Sequence, residues 1–220
     1  MDFGTWSVGR RSIHLNLPRL HVIATDAVAG HAEFLDQCGD MQDRCGSELA
    51  IHLRLPDTPV RRALVLAERL EEGAVETGGW LVINGRVDVA LVAGADAVQL
   101  GRDSLSIEAV RYLVGDSLAI GASVHDLPTA DIRRKEGADF LVVGTVFATA
   151  THPDVTPGGP VLIKRIADAG LPIIAIGGLN LERLGAVRAA GAHGVAVIRA
   201  VWDEPDPAIA AEMLCARLMH

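Results

Sequence analysis

Eight short, almost wholly aliphatic runs recur along this chain, and helical patterns fill the gaps between them. The runs are Leu20–Ala24, Leu49–Leu53, Trp80–Ile83, Ala97–Leu100, Leu118–Gly121, Phe140–Val143, Pro172–Ile176 and Gly194–Ile198. They are apolar nearly throughout rather than alternating, as strands of a parallel sheet covered on both faces must be. Helical periodicity occupies Pro59–Glu72, Val87–Ala93, Ile107–Val114, Pro128–Glu136, Pro160–Ala169, Leu181–Ala190 and Pro207–Leu218, and more weakly Gly30–Cys38. Eight units in 220 residues give about 27 residues each, near the ~30 of a βαβ step. The spacing predicts a single α/β domain, a (β/α)8 TIM barrel over residues 20–220, with residues 1–19 as a short N-terminal extension. A doubly wound open sheet is the alternative.

Local chemistry agrees with this beat. Ser106, Asn180 and Asp206 stand where helix N-caps are needed. Gly94-Ala95-Asp96, Gly137-Ala138-Asp139 and Gly191-Ala192-His193 each end a helix and open a strand, the glycine capping the helix in a left-handed conformation. Aromatic residues are only 4% of the chain, so the core must be built from Ala, Val, Leu and Ile. A net charge of −8, with basic residues gathered only in pairs such as Arg10-Arg11, Arg61-Arg62 and Arg133-Arg134, argues against a nucleic-acid partner. No apolar run reaches the ~18–20 residues of a membrane span. The start, Met1-Asp2-Phe3-Gly4, lacks the layout of a secretory signal. Cys38, Cys45 and Cys215 read as reduced thiols, so a cytoplasmic location is expected.

In such a barrel the active site lies where strands end and helix-bound loops begin. The polar residues at those ends include His52 and Arg54, Asn84, Gln99, Arg102, Asp103 and Ser104, Ser123 and His125, then Thr145, Thr149, Thr151 and His152. The sharpest feature is Ile176-Gly177-Gly178 followed by Val197-Ile198-Arg199-Ala200. Two glycines would let a phosphate approach bare backbone N–H groups, and a helix starting near Ile198 and Arg199 would add its positive end. Taken alone the glycines could equally serve only a tight turn; together with the segment at residues 197–200 they favour a phosphate site.

From Leu20 to Leu218 these motifs resemble the thiamine phosphate synthase/TenI superfamily. The resemblance is carried by Ile51-His52-Leu53-Arg54, Ile83-Asn84-Gly85-Arg86-Val87-Asp88, Gly94-Ala95-Asp96-Ala97-Val98-Gln99-Leu100-Gly101, Gly121-Ala122-Ser123-Val124-His125, Gly144-Thr145-Val146-Phe147 and Ala175-Ile176-Gly177-Gly178. It implies a TIM barrel acting on a small phosphorylated thiazole. Arg54, Asn84, Ser123, Thr145, Thr149 and Thr151 are the implied substrate contacts, and Gly177, Gly178, Ile198 and Arg199 the phosphate site. A homodimer is expected from the habit of the fold.

Departures from the family pattern point to a branch. The synthase joins a pyrimidine pyrophosphate to a thiazole phosphate and needs magnesium for the leaving pyrophosphate. Its Gln-x-Arg-x-Lys is here His52-Leu53-Arg54-Leu55-Pro56, its Asn-Asp is Asn84-Gly85, and its Gly-Gln-x-Asp is Gly101-Arg102-Asp103-Ser104. Asp103 alone remains as a metal carboxylate, and only under a synthase reading. These changes resemble the TenI branch, which implies a metal-independent thiazole tautomerase with no cofactor. That branch's catalytic histidine aligns with Thr145, which cannot act as a base near neutral pH. His152, then His125, then His52 are the candidate proton carriers. The alternatives are a thiamine phosphate synthase with an altered metal site, using magnesium, a non-catalytic regulatory barrel that binds the ligand, and a barrel recruited to another phosphorylated substrate.

Overall fold

The structure, a computed structural model, describes residues 16–149 and 154–219. Eight parallel strands close into a barrel in sequence order. They are β1 (Leu20–Thr25), β2 (Leu49–Arg54), β3 (Trp80–Asn84), β4 (Ala97–Leu100), β5 (Ala119–Val124), β6 (Phe140–Val143), β7 (Ile173–Ile176) and β8 (Gly194–Val197). Closure comes from β1 pairing with both β2 and β8, with Leu20 opposite Leu49 on one side and Val195 on the other. The open-sheet alternative is thereby excluded.

The helices are α1 (Asp26–Ala29), α2 (Phe34–Cys45), α3 (Val60–Thr77), α4 (Val87–Ala93), α5 (Ile107–Val114), α6 (Leu127–Glu136), α7 (Gly159–Ile166), α8 (Leu184–Ala189), α9 (Arg199–Trp202) and α10 (Pro207–Met219). Of the stretch expected as one weak helix at Gly30–Cys38, residues 30–33 form a turn in which the Phe34 N–H donates to His31 O, and α2 begins only at Phe34 and runs on to Cys45. Asn180 does cap the segment after β7, its Oδ1 accepting from the Arg183 N–H, but residues 181–183 form a turn and the helix begins only at Leu184.

Strand alternation, invisible in the continuous apolar runs, divides the interior in two. Ile23, Ala50, Val82, Ala97, Ala119, Phe140, Val142, Ile174 and Ala196 fill the inside of the barrel. Val22, Ile51, Ile83, Val98, Ile120, Leu141, Ala175 and Val195 face outward into the larger core shared with the helices. Leu17 belongs to the inner cluster and the Val195 N–H donates to Arg19 O at 2.8 Å. Residues 17–19, assigned from sequence to the extension, therefore belong to the barrel floor. Residues 1–15 lie outside the described residues.

The repeated glycine-capped turn has one geometry. Ala95 and Ala138 donate back to Ala90 O and Arg133 O, and the Asp96 and Asp139 N–H groups donate to Leu81 O and Ile120 O. Each aspartate carboxylate then accepts from the N–H of that same residue, Leu81 at 2.8 Å and Ile120 at 2.7 Å. Arg111 adds an ion pair to Asp139 while donating to the carbonyls of Gly115, Leu118 and Gly137. Hydrogen bonds to charged groups contribute about 1.5–3 kcal/mol. Asp139→Ala should therefore cost about 2 kcal/mol, read as a lower urea midpoint with an unchanged slope.

Candidate functional site

Closure puts all eight strand C-termini on one rim, where a cavity of about 770 Å³ opens. Its floor is apolar, with Ile23, Val142, Ile176 and Ala196, and its walls are polar. His52, Arg54, Asn84, Ser123, His125, Thr145, Thr149, Gly177, Gly178, Ile198, Arg199 and Asp103 all line it, so residues far apart in sequence come together at one rim. Gln99, Arg102 and Ser104 join them. His152 and Thr151 lie outside the described residues. Three arginines face one aspartate, so the described wall has an excess of positive charge suited to an anionic ligand.

The glycine pair has two roles in the geometry. Gly177 and Gly178 have φ of +105° and +61°, conformations that only glycine adopts without strain. A Cβ on Gly178 would lie 2.4 Å from Ala148 O, and one on Gly177 would lie 2.7 Å from Thr145 Cγ2. The loop after β6 is packed directly against them. The Val146 and Phe147 N–H groups donate to Ile176 O and Gly177 O, while Arg183 donates to Gly178 O and stacks over the Phe147 ring at 4.8 Å. The glycines therefore serve the turn first, and substitution there would disturb the loop whatever the ligand. Arg183 holds this corner together and was missed in the sequence, where it reads as one more charge in a helix. At β8, the start of α9 brings Ile198, Arg199 and Ala200 to the same side of the cavity. The first amides of a helix have no acceptor within it.

The histidines sort differently from the sequence expectation. His52 is buried, its Nε2 2.8 Å from His21 Nδ1 and its Nδ1 3.0 Å from the Asn84 side chain. Burial drives its pKa down to about 4. It is neutral near pH 7 and engaged on both nitrogens, which makes it a poor proton carrier. His125 is exposed and its Nδ1 is taken by the Gly144 carbonyl, which leaves only Nε2 for chemistry. Thr145 is buried, with its carbonyl accepting from the Gly158 N–H. Ser123 Oγ accepts from Gln99 Nε2 at 3.1 Å. Asn84, Arg54 and Ser123 are strand residues rather than loop residues, since β2, β3 and β5 run further than the apolar runs indicate.

Comparison with known proteins gives consistent matches. A family model described as "Thiamine monophosphate synthase" matches residues 24–201. The "Thiamine biosynthesis bifunctional protein ThiM/ThiE" of Symbiobacterium thermophilum is 40% identical over 166 residues, 74% of this chain and 35% of that protein. A "Thiamine-phosphate synthase" of Methanospirillum hungatei is 38% identical over 177 residues, 80% of this chain and 86% of that one. The solved "Thiamine phosphate pyrophosphorylase" from Pyrococcus furiosus superimposes with a TM-score of 0.82 at 32% identity, over 93% of this chain and 96% of that one. Among the described residues no helix is long and apolar enough to cross a membrane.

The buried state of His52 has a consequence for stability. The unfolded chain takes up a proton near pH 6.5, the folded one only near pH 4. The contribution is intact above pH 6.5 and is lost as pH falls towards 4. At 1.36 kcal/mol per pH unit the loss reaches roughly 3 kcal/mol. Urea unfolding at pH 7 and pH 4.5 should show the decline, and His52→Gln should reduce it, with buried His21 contributing a share of its own.

Proposed function

Because this chain belongs to the thiamine monophosphate synthase family, we propose that it is a thiamine-phosphate synthase. In this reading it joins a pyrimidine pyrophosphate to a thiazole phosphate in the rim cavity. The observation that carries the reading is the charge and size of that cavity. Arg54, Arg102 and Arg199 face Asp103 in about 770 Å³, within the range of small-molecule sites and roomy enough for two rings with their phosphates. A tautomerase needs room for one ring, with its carboxylate and phosphate, and one proton carrier. Of the described histidines, His52 fits that role poorly, buried and engaged on both nitrogens, while His125 is held at Nδ1 and keeps Nε2. The names of the relatives also favour the synthase over the TenI branch.

Each group then has a task. The bond between the rings forms as the bond to pyrophosphate breaks, so negative charge grows on the leaving group. Arg54 and Arg102, on the β2 and β4 side, present guanidinium forks to that charge. The backbone at Gly177 and Gly178 and the first amides of α9 hold the thiazole phosphate on the opposite side, with Arg199 beside them. The loop after β6, with Thr149, covers the thiazole.

The family resemblance implies magnesium, and the donor set meets the lower limit of what the ion takes. A Cβ on Gly85 would lie 3.9 Å from Ser104 Oγ, so the two positions that carry carboxylates in the family pattern face one another here as neutral residues. Asp103 is the one carboxylate among the described residues that line the cavity. Magnesium is often held by one or two carboxylates plus substrate phosphates, so Asp103 would hold it with the pyrophosphate oxygens. Bound there, the ion would neutralise leaving-group charge.

The neutral pair Gly85 and Ser104 favours a second reading, the metal-independent thiazole tautomerase, since that reaction needs no such carboxylates. One assay separates them. Purified protein given both substrates and magnesium should release pyrophosphate only when both are present, and Arg54→Ala should lower kcat/KM by about 10²–10³-fold. Conversion of a thiazole carboxylate phosphate without magnesium or pyrimidine would favour the tautomerase. Binding of thiazole phosphate with no turnover of either kind would favour a regulatory barrel.

A further inference from the structure

A polar thread crosses the otherwise apolar interior of the barrel. It runs from the Pro18 carbonyl on the floor through His21 and His52 to Asn84 on the cavity wall. His21 Nε2 lies 3.0 Å from Pro18 O, His21 Nδ1 lies 2.8 Å from His52 Nε2, and His52 Nδ1 lies 3.0 Å from Asn84 Oδ1. Both histidines are buried. We propose that His21 is a positioning residue that, through His52, determines which end of the Asn84 amide faces the cavity.

The direction of the thread follows from its first member. A carbonyl oxygen only accepts, so His21 Nε2 must carry the hydrogen. A neutral His21 then has a lone pair at Nδ1, and His52 must donate from Nε2. A neutral His52 is in turn a lone pair at Nδ1, and Asn84 must meet it with an N–H. The amide nitrogen of Asn84 therefore faces His52 and its oxygen faces the cavity. Amide nitrogen and oxygen are assigned from such networks rather than seen directly; Oδ1 is set against His52 in this structure, and the hydrogens of the network require that amide to be turned over. The reverse direction would place two lone pairs face to face at Pro18, or require an imidazolium in the barrel interior. Burial, His52 and His193 all act against that second proton on His21, and only the Pro18 carbonyl favours it.

The consequence is a cavity wall with a built-in polarity. Arg54 and Arg102 take anionic groups, while Asn84 offers an acceptor to a ligand N–H and disfavours a ligand carbonyl. His21 touches neither ligand nor reacting atoms. Nothing in its position, the second residue of an apolar run, singles it out in the sequence.

The test is spectroscopic and does not depend on which substrate fills the cavity. Long-range proton–nitrogen spectra of the ¹⁵N-labelled full chain at pH 7 report the tautomer of each histidine ring, with His52→Gln assigning the His52 signals. The wild-type protein should show His52 protonated on Nε2 alone. His21→Leu should move His52 to the Nδ1–H tautomer, while His21→Gln, whose amide can donate to Pro18 and accept from His52, should retain the original one. Wild-type His52 as the Nδ1–H tautomer or as imidazolium would overturn the proposal without any variant, as would a His52 tautomer unchanged in folded His21→Leu. A second arm rests on the synthase reading. The wild-type protein should prefer a pyrimidine pyrophosphate bearing a ring amino group over its keto analogue by about tenfold or more, and His21→Leu should erase the preference while inorganic pyrophosphate binds as before. Failure of the wild-type protein to bind either pyrimidine would count against the synthase reading alone, since the tautomer result stands by itself.

Discussion

The pairing of β8 with β1 is the contact on which everything else depends. Leu20, His21 and Val22 sit opposite Val195, Ala196 and Val197, and the Val195 N–H donates one residue further down to Arg19 O. Without that ladder the sheet would have two bare edges, and the ends of its strands would fan apart. With it, every strand has two neighbours and the strand C-termini form one rim. The convergence of Arg54, Asn84, Ser123 and Arg199 follows from closure and from nothing local.

Closure also limits what the interior can hold. Inward positions at Ala50, Ala97, Ala119 and Ala196 are small, which leaves room for Phe140 and for polar side chains that would be out of place in a dry core. His21, His52 and Gln99 occupy that space. Each buried polar group there must find a partner or cost free energy, so the histidines are tied into hydrogen bonds and held neutral. The same environment that makes them good structural relays makes them poor proton carriers. A histidine near a strand end is a candidate base only if it reaches the rim with a nitrogen free, and of the two described candidates His125 comes nearer to that than His52.

The corner between β6 and β7 shows how one sequence motif meets two demands. Gly177 and Gly178 are needed because the loop after β6 passes where their side chains would be, and the chain there takes a conformation that disfavours any other residue. The open backbone that results is also what a phosphate requires. Arg183, joined to Gly178 O and stacked on Phe147, fixes the loop against this corner. Binding chemistry and backbone packing are thus inseparable at this position.

Much of this was legible in the sequence. Runs apolar on both faces, glycine-capped turns at Gly94, Gly137 and Gly191, and polar residues clustered after each run determine a parallel α/β fold and the strand ends that carry its chemistry, because these are local consequences of hydrophobic period and backbone sterics, whereas closure into a barrel rather than an open sheet was decided by the pairing of β8 with β1. Family membership was likewise carried by short motifs, although the neutral residues at Gly85 and Ser104 pulled the reading towards the TenI branch, while relatives such as that of Methanospirillum hungatei are named as synthases. Other features were decided only by the tertiary structure. Continuous apolar runs do not say which residues point inward, so the thread from Pro18 to Asn84 could not be read from them. Nor could the place of residues 17–19 in the barrel floor, or the neutral state of His52, since burial and hydrogen-bond partners are properties of the closed barrel, fixed by side chains such as His21 and His52 that lie on different strands.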